Sequence, residues 1–437
     1  MNIGDFRLLV IEPKLRENFY PLTYTKLGVS LLSGTKTLFQ GIEDNLNEKL
    51  SDIYVPEYLK DYAAETFPKL HVNEPIASSC IFVNAFISCR KEVWNFFQSA
   101  LNDQSSTDRA YFDPNGDPVF GKLSEANSNI LRLSESSRNS LHRKIEKRAL
   151  PQELENISLI RYPWELVRDN PIKIVQDYSS EKFSSPPYFS RSGSNDMEVR
   201  GSKVVTADSA EIERFVTLDS TSGPIIIEEG AVVESFTRAT GPCYIGKNAK
   251  IRSARIREGT TVGARSKVAG EVECSIISEF CNKSHEGFLG HSIAGSWVNF
   301  GAMTACSDLK NTYGTINVKS GRKSIDTREI KVGVFLGDMA KTAIGTLLTS
   351  GKRIGVSSQV FGLVSEDVPS FTMYGKALGA KSSEVILESA LVTQKRMMER
   401  RGLIMTSAFE SLIRSVYKMT KGERAFHRVS KSRFKLP

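Results

Sequence analysis

The sequence contains little cysteine and no long apolar run, and both absences limit what the chain can be. Its six cysteines are spread over 437 residues without any CxxC pair, which argues against a disulfide framework or a zinc ribbon. We expect reduced cysteines that fill small interior positions. No stretch reaches the roughly 18 apolar residues of a membrane span, and Asp5 interrupts the first apolar run, unlike a signal peptide. These features predict a cytoplasmic protein with no membrane partner.

The charge balance favours small anionic ligands. The formal net charge is +8, which suits phosphates, nucleotides or coenzyme A. Part of the excess lies in the C-terminal stretch KGERAFHRVSKSRFK, which is typical of a solvated tail. Because the chain has none of the motifs that read nucleic acids, we expect no nucleic-acid partner.

A six-residue repeat dominates the middle of the chain. Aliphatic residues recur six apart in a first run, and a second run and a shorter third set follow it. Their members are Ile227, Val233, Ala239, Ile245 and Ile251; Val262, Val268, Cys274 and Phe280; and Ile344, Ile354 and Val360. The gap of eleven between the first and second runs indicates a slip or a tightened corner. Small residues follow many of these aliphatics, as in Ile245-Gly246. Strands alternate every two residues and helices every 3.6, so neither explains the period. The repeat predicts a left-handed parallel β-helix over 201–381, whose stacked three-faced coils bury one core.

The segments around the repeat predict the remaining organisation. A polar, turn-rich arm interrupts the repeat at 306–337 and is expected to cover a site or to reach a neighbouring subunit. Residues 1–190 mix strand-like and helix-like runs, which predicts an α/β domain. A Ser-, Pro- and Gly-rich linker lies at about 179–200. Residues 382–437 are expected to be a helical extension that caps the solenoid.

Two segments carry a family resemblance. The repeats together with KSHEGFLGHSIAGSWVNFGAMT resemble the acetyltransferase half of the bifunctional N-acetylglucosamine-1-phosphate uridylyltransferase/glucosamine-1-phosphate acetyltransferase family. The segment LRENFYPLTYTK is similar to the start of the archaeal and Bacteroidetes GlmU-like sugar nucleotidyltransferases. The resemblance is stronger over 224–364 than over 1–190. It implies a nucleotidyltransferase-like N-terminal domain. Because hexapeptide acyltransferases resemble one another in forming trimers, it also implies a homotrimer.

The resemblance also assigns roles to residues of the β-helix. His285 is the implied general base, since an imidazole accepts a proton near neutral pH, and the amide of Ala302 would stabilise the developing oxyanion. The other implied roles are phosphate binding by Arg257, sugar contact by Phe288 and Asn299, and acetyl-CoA contact by Thr346 and Gly362. Outside this set, His291 is a competing base, and we expect His71, His142 and His427 to be surface residues.

Two departures from the family pattern affect the expected substrate. Glu273 stands near the position of a lysine that binds the sugar phosphate, and Phe288 replaces a tyrosine. Losing a cation and a hydroxyl group argues against glucosamine-1-phosphate itself. A different amino sugar, or a binding pose that uses Lys283, would follow.

The N-terminal half lacks the glycine-rich phosphate loop of typical pyrophosphorylases. Arg16 and Lys26 remain as candidate nucleotide contacts, and Asn84 stands where such enzymes carry a metal-binding aspartate. Asparagine is a poorer Mg²⁺ ligand than a carboxylate, so nucleotidyl transfer with a nucleoside triphosphate and Mg²⁺ is expected to be altered or lost.

Three functions remain open from the sequence. The first is acetyl-CoA-dependent N-acetyltransfer to an amino-sugar phosphate, in amino-sugar nucleotide metabolism. The second is nucleotidyl transfer alone. The third is a regulatory or scaffold protein that binds sugar nucleotides without turnover.

Overall fold

The computed structural model describes residues 5–102, 108–132, 145–190, 193, 196–321 and 323–436. The chain forms two compact units. The first contains Met1–Phe19, Lys26–Leu31 and Lys36–Tyr162, and the second contains Tyr20–Thr25, Leu32–Thr35 and Pro163–Pro437. This division falls before residue 190, where we expected the first domain to end, because the helix Pro163–Tyr178 packs within the second unit. His142 lies outside the described residues.

The first unit is an α/β domain built on a mixed seven-stranded sheet. In spatial order the strands are His71–Val72, Asp52–Tyr54, Arg7–Ile11, Cys80–Asn84, Pro118–Leu123, Arg109–Phe112 and Glu146–Ala149. The first four are mutually parallel, whereas Pro118–Leu123 runs antiparallel to both neighbours. The described α-helices are Leu38–Leu46, Lys60–Thr66 and Lys91–Asn102, and 3-10 turns lie at Lys14–Phe19, Gly28–Ser30, Glu57–Leu59 and Ser128–Arg132. The α/β class predicted for this half is confirmed.

The second unit is a left-handed parallel β-helix, as the repeat predicted. Its first face stacks Val204–Ala207, Ile225–Ile227, Cys243–Ile245, Thr260–Val262, Ile276–Ile277, Ile293–Ala294, Phe335–Leu336 and Arg353–Ile354. The second face carries Glu211–Ile212, Val232–Val233, Asn282–Lys283, Lys341–Thr342, Gln359–Val360 and Thr372–Tyr374. The third carries Met197–Arg200, Val216–Asp219, Arg238–Thr240, Phe288–Gly290, Ala305–Cys306, Leu347–Leu348 and Leu363–Val364. Lys250–Ile256 and Lys267–Glu273 bend across the second and third faces.

The corners between the first and second faces explain why small residues follow the aliphatics. A side-chain carbon at Gly246 would lie 2.7 Å from the carbonyl oxygen of Val262 in the next coil. Two residues further along, the corner adopts the left-handed conformation in six successive coils, at Asn248, Arg265, Phe280, Trp297, Met339 and Ser357. Each coil therefore turns in the same way, which keeps the inward residues stacked.

The predicted register of the second run is wrong after Val268. Cys274 and Phe280 are corner residues with φ of 42° and 61°, and the inward residues are Val272, Ile277 and Cys281. The coil is shortened near Gly270, whose φ is 72°, so the six-residue count no longer holds. The slip expected between Ile251 and Val262 is present, with Ile256 as the inward residue. Ile344 is also not a core residue, because 77% of its surface is exposed.

The polar arm leaves and rejoins the β-helix at a narrow neck. It contains the antiparallel hairpin Asn317–Ser320 with Lys323–Asp326, and Val332 N–H donates to the carbonyl of Asp308 at 2.8 Å. Across the insertion the coils stay in register, since Ala294 pairs directly with Leu336.

Helices cover two faces of the β-helix. Pro163–Tyr178 lies on the first face, where Asn170 donates to the carbonyl of Gly259 at 2.9 Å. Leu387–Glu399 lies near the second face, since Arg401 just after it donates to the carbonyl of Arg265 at 3.1 Å. The helix Ser407–Met419 packs on the last coil through Phe371 and Tyr417, and Lys421–Phe426 follows it.

The remaining observations concern the cysteines and membrane segments. All six cysteines are free; Cys89 and Cys274 are partly buried and the other four are buried. Within the described residues, no helix has the length and apolar composition needed to cross a bilayer.

We predict that Ile245→Ala lowers the free energy of unfolding by about 2–5 kcal/mol, because Ile245 is fully buried and stacks between Ile227 and Val262. Urea denaturation measures this change. The exposed Ile404 provides the matched control, and Ile404→Ala should alter stability by less than about 0.5 kcal/mol. Equal losses in the two variants would contradict the stacked-column arrangement.

Candidate functional site

His285 and Ala302 occupy the same corner of consecutive coils, between the second and third faces. Backbone bonds on both sides fix this stacking: Phe300 N–H donates to the carbonyl of Asn282 at 2.9 Å, and Met303 N–H donates to that of Glu286 at 3.0 Å. Gly287 permits the close approach, since a side-chain carbon there would lie 2.0 Å from the carbonyl oxygen of Thr304. The two residues that the resemblance paired are therefore adjacent on one edge.

The chemical groups of this corner are available to a ligand. The His285 side chain is exposed, and among the described residues its imidazole makes no hydrogen bond. The carbonyl of Ala302 accepts from Gly345 N–H at 2.8 Å. Within the same part of the chain, the Ala302 amide donates to no acceptor. An imidazole and an amide donor on adjacent coils are the components that acyl transfer to an amine needs.

The same edge continues through the two residues expected to contact acetyl-CoA. Thr304, Thr346 and Gly362 stack below this corner, since the strands that follow them pair Ala305 with Leu347 and Leu347 with Leu363. The Thr346 hydroxyl is buried and donates to the carbonyl of Ala343 at 2.8 Å. Thr346 therefore shapes the edge with its backbone, and Gly362 lies in the left-handed region with φ of 71°.

Arg257 is already paired with carboxylates. Its Nη1 lies 2.8 Å from Glu273 and 3.4 Å from Glu271. Lys331 of the polar arm contacts the other oxygen of Glu273 at 2.9 Å. A guanidinium held between two carboxylates is poorly suited to bind phosphate, so the structure argues against the role expected of Arg257. Phe288 lies half-buried on the same face, next to Gly290.

Lys283 lies inside the coil, which argues against the substrate contact expected of it. Its position pairs with the inward residue Val268, and its side chain is almost fully buried. Its Nζ donates to the carbonyls of Ala269 at 2.7 Å, Gly287 at 2.6 Å and His285 at 3.3 Å. Burial lowers the pKa of this ammonium to about 8. Lys283 therefore ties the corner that carries His285 to the coil above it.

A second histidine forms a pair that the sequence did not predict. Nδ1 of His291 lies 2.7 Å from Oδ2 of Asp308, the residue at the neck of the arm. His291 was expected as a competing base, but Asp308, its partner, was not identified. The two are 17 residues apart, which is one coil, and this spacing is the signal that would have revealed them. A carboxylate that orients an imidazole is a common feature of acid–base sites.

The three candidates of the first unit are engaged within the fold. Arg16 is 2% exposed and contacts Glu12 at 3.2 Å and the Tyr58 hydroxyl at 2.6 Å. Lys26 is also buried. Asn84 is fully buried, donates to the carbonyl of Pro118 at 2.7 Å and accepts from Phe86 N–H at 2.9 Å. Their burial and internal bonds argue against the nucleotide contacts expected of these three residues.

The donor chemistry of Asn84 does not suit a metal ion. Mg²⁺ prefers carboxylate and other oxygen ligands, whereas both polar atoms of the Asn84 amide are already bonded to the backbone. Across the described part of the chain, no cluster of three His, Cys, Asp or Glu side chains could hold a metal ion. The residues of the first unit thus do not fit a Mg²⁺ site at Asn84.

Comparisons with known proteins agree with this architecture. Residues 8–182 match the family described as sugar nucleotidyl transferase. The chain is 32% identical over 155 residues to a bifunctional sugar-1-phosphate nucleotidylyltransferase/acetyltransferase of Sulfurisphaera tokodaii, a match covering 33% of this chain and 38% of that protein. It is also 32% identical over 200 residues to the bifunctional protein GlmU of Methanococcus vannielii, covering 43% of each.

These matches confirm the predicted resemblance to the bifunctional GlmU-like proteins. The chain spans about two fifths of the length of the curated relatives it matches. A solved UDP-N-acetylglucosamine acyltransferase of Francisella novicida is 17% identical, with 53% of this chain and 78% of that chain covered, at a TM-score of 0.31.

We predict that Lys283→Met removes a pH dependence of stability. Lysine titrates near 10.4 in an unfolded chain, so between about pH 8 and pH 10 the unfolded state binds more protons than the folded one. The wild-type stability therefore rises through this window relative to the variant, by about 2 kcal/mol. Urea denaturation at several pH values measures this, and Lys319→Met, at an exposed position of the arm, is the control. A constant difference between wild type and Lys283→Met would contradict the burial of a titrating ammonium.

We also predict that Asn84→Asp destabilises the protein at pH 7 by about 2–4 kcal/mol, because a buried carboxylate would face the Pro118 carbonyl without a donor. Asn45→Asp, which loses a similar bond at a half-exposed helix position, should cost less. Thermal unfolding with and without Mg²⁺ completes the experiment. Selective stabilisation of Asn84→Asp by Mg²⁺ would show that this position can hold a metal after all.

Proposed function

We propose that this protein transfers the acetyl group of acetyl-CoA to the amine of an amino-sugar phosphate at the edge formed by His285, Ala302, Thr346 and Gly362. The observation that carries the proposal is the direct stacking of the exposed imidazole on the coil that presents the Ala302 amide. The similarity to bifunctional nucleotidylyltransferase/acetyltransferases supports the same chemistry.

The proposed reaction uses these two groups in sequence. The substrate amine attacks the thioester carbon while the His285 imidazole accepts the proton that the nitrogen loses. The carbonyl oxygen gains negative charge, and the Ala302 amide donates a hydrogen bond to it. The C–S bond then breaks, and the thiolate of coenzyme A takes the proton back from the imidazolium. The products are the N-acetylated sugar phosphate and free coenzyme A.

Assembly into a homotrimer is part of the proposal. The edge that carries His285 also exposes a row of large apolar residues, namely Phe215, Phe236, Met303 and Ile344. Phe215 and Phe236 stack on one another with ring centroids 5.7 Å apart. Exposed apolar rows of this kind mark surfaces that bind other proteins, and a neighbouring copy would enclose the otherwise open reaction edge.

Nucleotidyl transfer is the second candidate function. The family match over residues 8–182 favours it, while the burial of Arg16, Lys26 and Asn84 argues against those three residues as its machinery. Pyrophosphate release from a nucleoside triphosphate and a sugar phosphate would demonstrate it, and His285→Ala should not change that rate.

We predict that His285→Ala lowers acetyl transfer by 100-fold or more, because it removes the general base. Release of the coenzyme A thiol, measured with a panel of amino-sugar phosphates, tests this. His291→Asn serves as the matched control, since it alters the other histidine of the same coil region and should retain most of the activity.

Two results would contradict the assignment. Equal, slow thiol release by wild type and His285→Ala on every substrate would show that the edge is not catalytic. Loss of activity in His291→Asn with full activity in His285→Ala would transfer the role of base to the His291–Asp308 pair.

A further inference from the structure

A pocket lies on the second face of the β-helix, next to the helix Leu387–Glu399. Its volume is about 310 Å³, and its lining includes Lys267, Asn282, Asn299 and Lys341 from successive coils. Arg400 and Arg401, which follow the helix, complete the charged part of the lining. The volume is at the lower end of the range for small-molecule sites.

The charge of this pocket has one sign. Four of the lining residues are cationic, Lys267, Lys341, Arg400 and Arg401, and none of the lining residues is a carboxylate. Burial and the neighbouring cations Arg401 and Arg252 lower the pKa of Lys267. Burial also lowers the pKa of Lys341 to about 8. Like charges held close together and away from water destabilise the folded state, and a bound anion would offset that cost.

The polar groups of the pocket are held in place by bonds to the β-helix. Arg401 donates to the Arg265 carbonyl at 3.1 Å, and Lys341 donates to the Met339 carbonyl at 2.8 Å. Each bond uses one donor of its side chain and leaves others for a ligand. Asn282 donates to Asn299 at 2.8 Å, which orients both amides along the floor.

A hydrogen-bond chain links this pocket to the corner of His285. The Ser284 hydroxyl donates to Oδ1 of Asn282 at 2.6 Å, and Asn282 in turn donates to Asn299. Ser284 directly precedes His285. The pocket and the proposed reaction edge therefore belong to the same coils.

We propose that Lys267, Lys341, Arg400 and Arg401 bind the phosphate group of a small phosphorylated molecule of about the size of a hexosamine phosphate. Phosphate accepts several charge-assisted hydrogen bonds at once, which suits two ammonium and two guanidinium groups around one cavity. No carboxylate of the pocket lining competes with the phosphate for these four cations. Arg257, by contrast, is paired with Glu271 and Glu273. The proposal concerns binding only, so it stands or falls separately from the acetyl-transfer proposal.

Calorimetric titration of the full chain tests this inference. The probes are glucosamine-1-phosphate, coenzyme A and inorganic pyrophosphate, which separate a sugar phosphate from a nucleotide as the source of the phosphate. We expect saturable binding of pyrophosphate and of at least one of the two phosphorylated metabolites. Lys267→Met and Arg401→Gln should each weaken this binding about tenfold or more.

A matched control separates the pocket from general charge effects. Arg396→Gln makes the same charge change in the last turn of the helix, outside the pocket lining, and should bind as wild type does. Melting temperatures within a few degrees of wild type confirm that the variants are folded.

The proposal is overturned if no probe binds, or if Lys267→Met and Arg401→Gln bind as tightly as Arg396→Gln does. A loss confined to the two pocket variants supports it, whichever metabolite is bound. If the pocket binds phosphate but the protein releases no coenzyme A thiol, the acetyl-transfer proposal alone fails.

Discussion

The interior of the β-helix is a single column of side chains, and the positions of the candidate residues depend on it. Inward residues of one coil lie directly against those of the next, so Ile245 lies between Ile227 and Val262 and the following coils stack in the same way. This column buries the apolar surface that stabilises the unit. Because the coils stack in register, corner residues of consecutive coils also align, and the alignment brings His285 next to Ala302.

Much of the architecture could be predicted from the sequence because the six-residue repeat follows from the geometry of the coils. A repeat of six fits one face of a triangular coil, and the polar segment after Cys306 breaks that period visibly. The period could not predict the register where coils shorten. Near Gly270 and Cys274 the chain turns the corner in fewer residues, and a residue expected in the core, Phe280, moves to the corner beside Trp297, with ring centroids 4.3 Å apart.

The sequence also predicted some contacts of the candidate site and missed others. The family resemblance paired His285 with Ala302, and the backbone bonds between their coils bring the two residues together on one corner. Pairing of charges across coils is harder to predict, because it depends on which side chains meet on a face. Glu273, noted as a lost cation, also holds Arg257 and Lys331. Lys267 and Lys341 occupy equivalent positions of different coils on the second face. They line one cavity because the helix Leu387–Glu399 lies beside them, and the sequence did not reveal where that helix packs.

The polar arm is a long insertion that leaves the stacking of the β-helix intact. Ala294 pairs with Leu336 across the inserted arm, and Cys306 lies directly above Leu348. Closing a longer loop costs little, about 0.6 kcal/mol for each doubling of its length. At the neck, the bond from Val332 N–H to the Asp308 carbonyl brings the two ends of the arm together, so the length of the arm places little constraint on the solenoid. Since Asp308 also contacts His291 and Lys331 contacts Glu273, changes to the arm would alter the chemistry of one surface and leave the core unchanged.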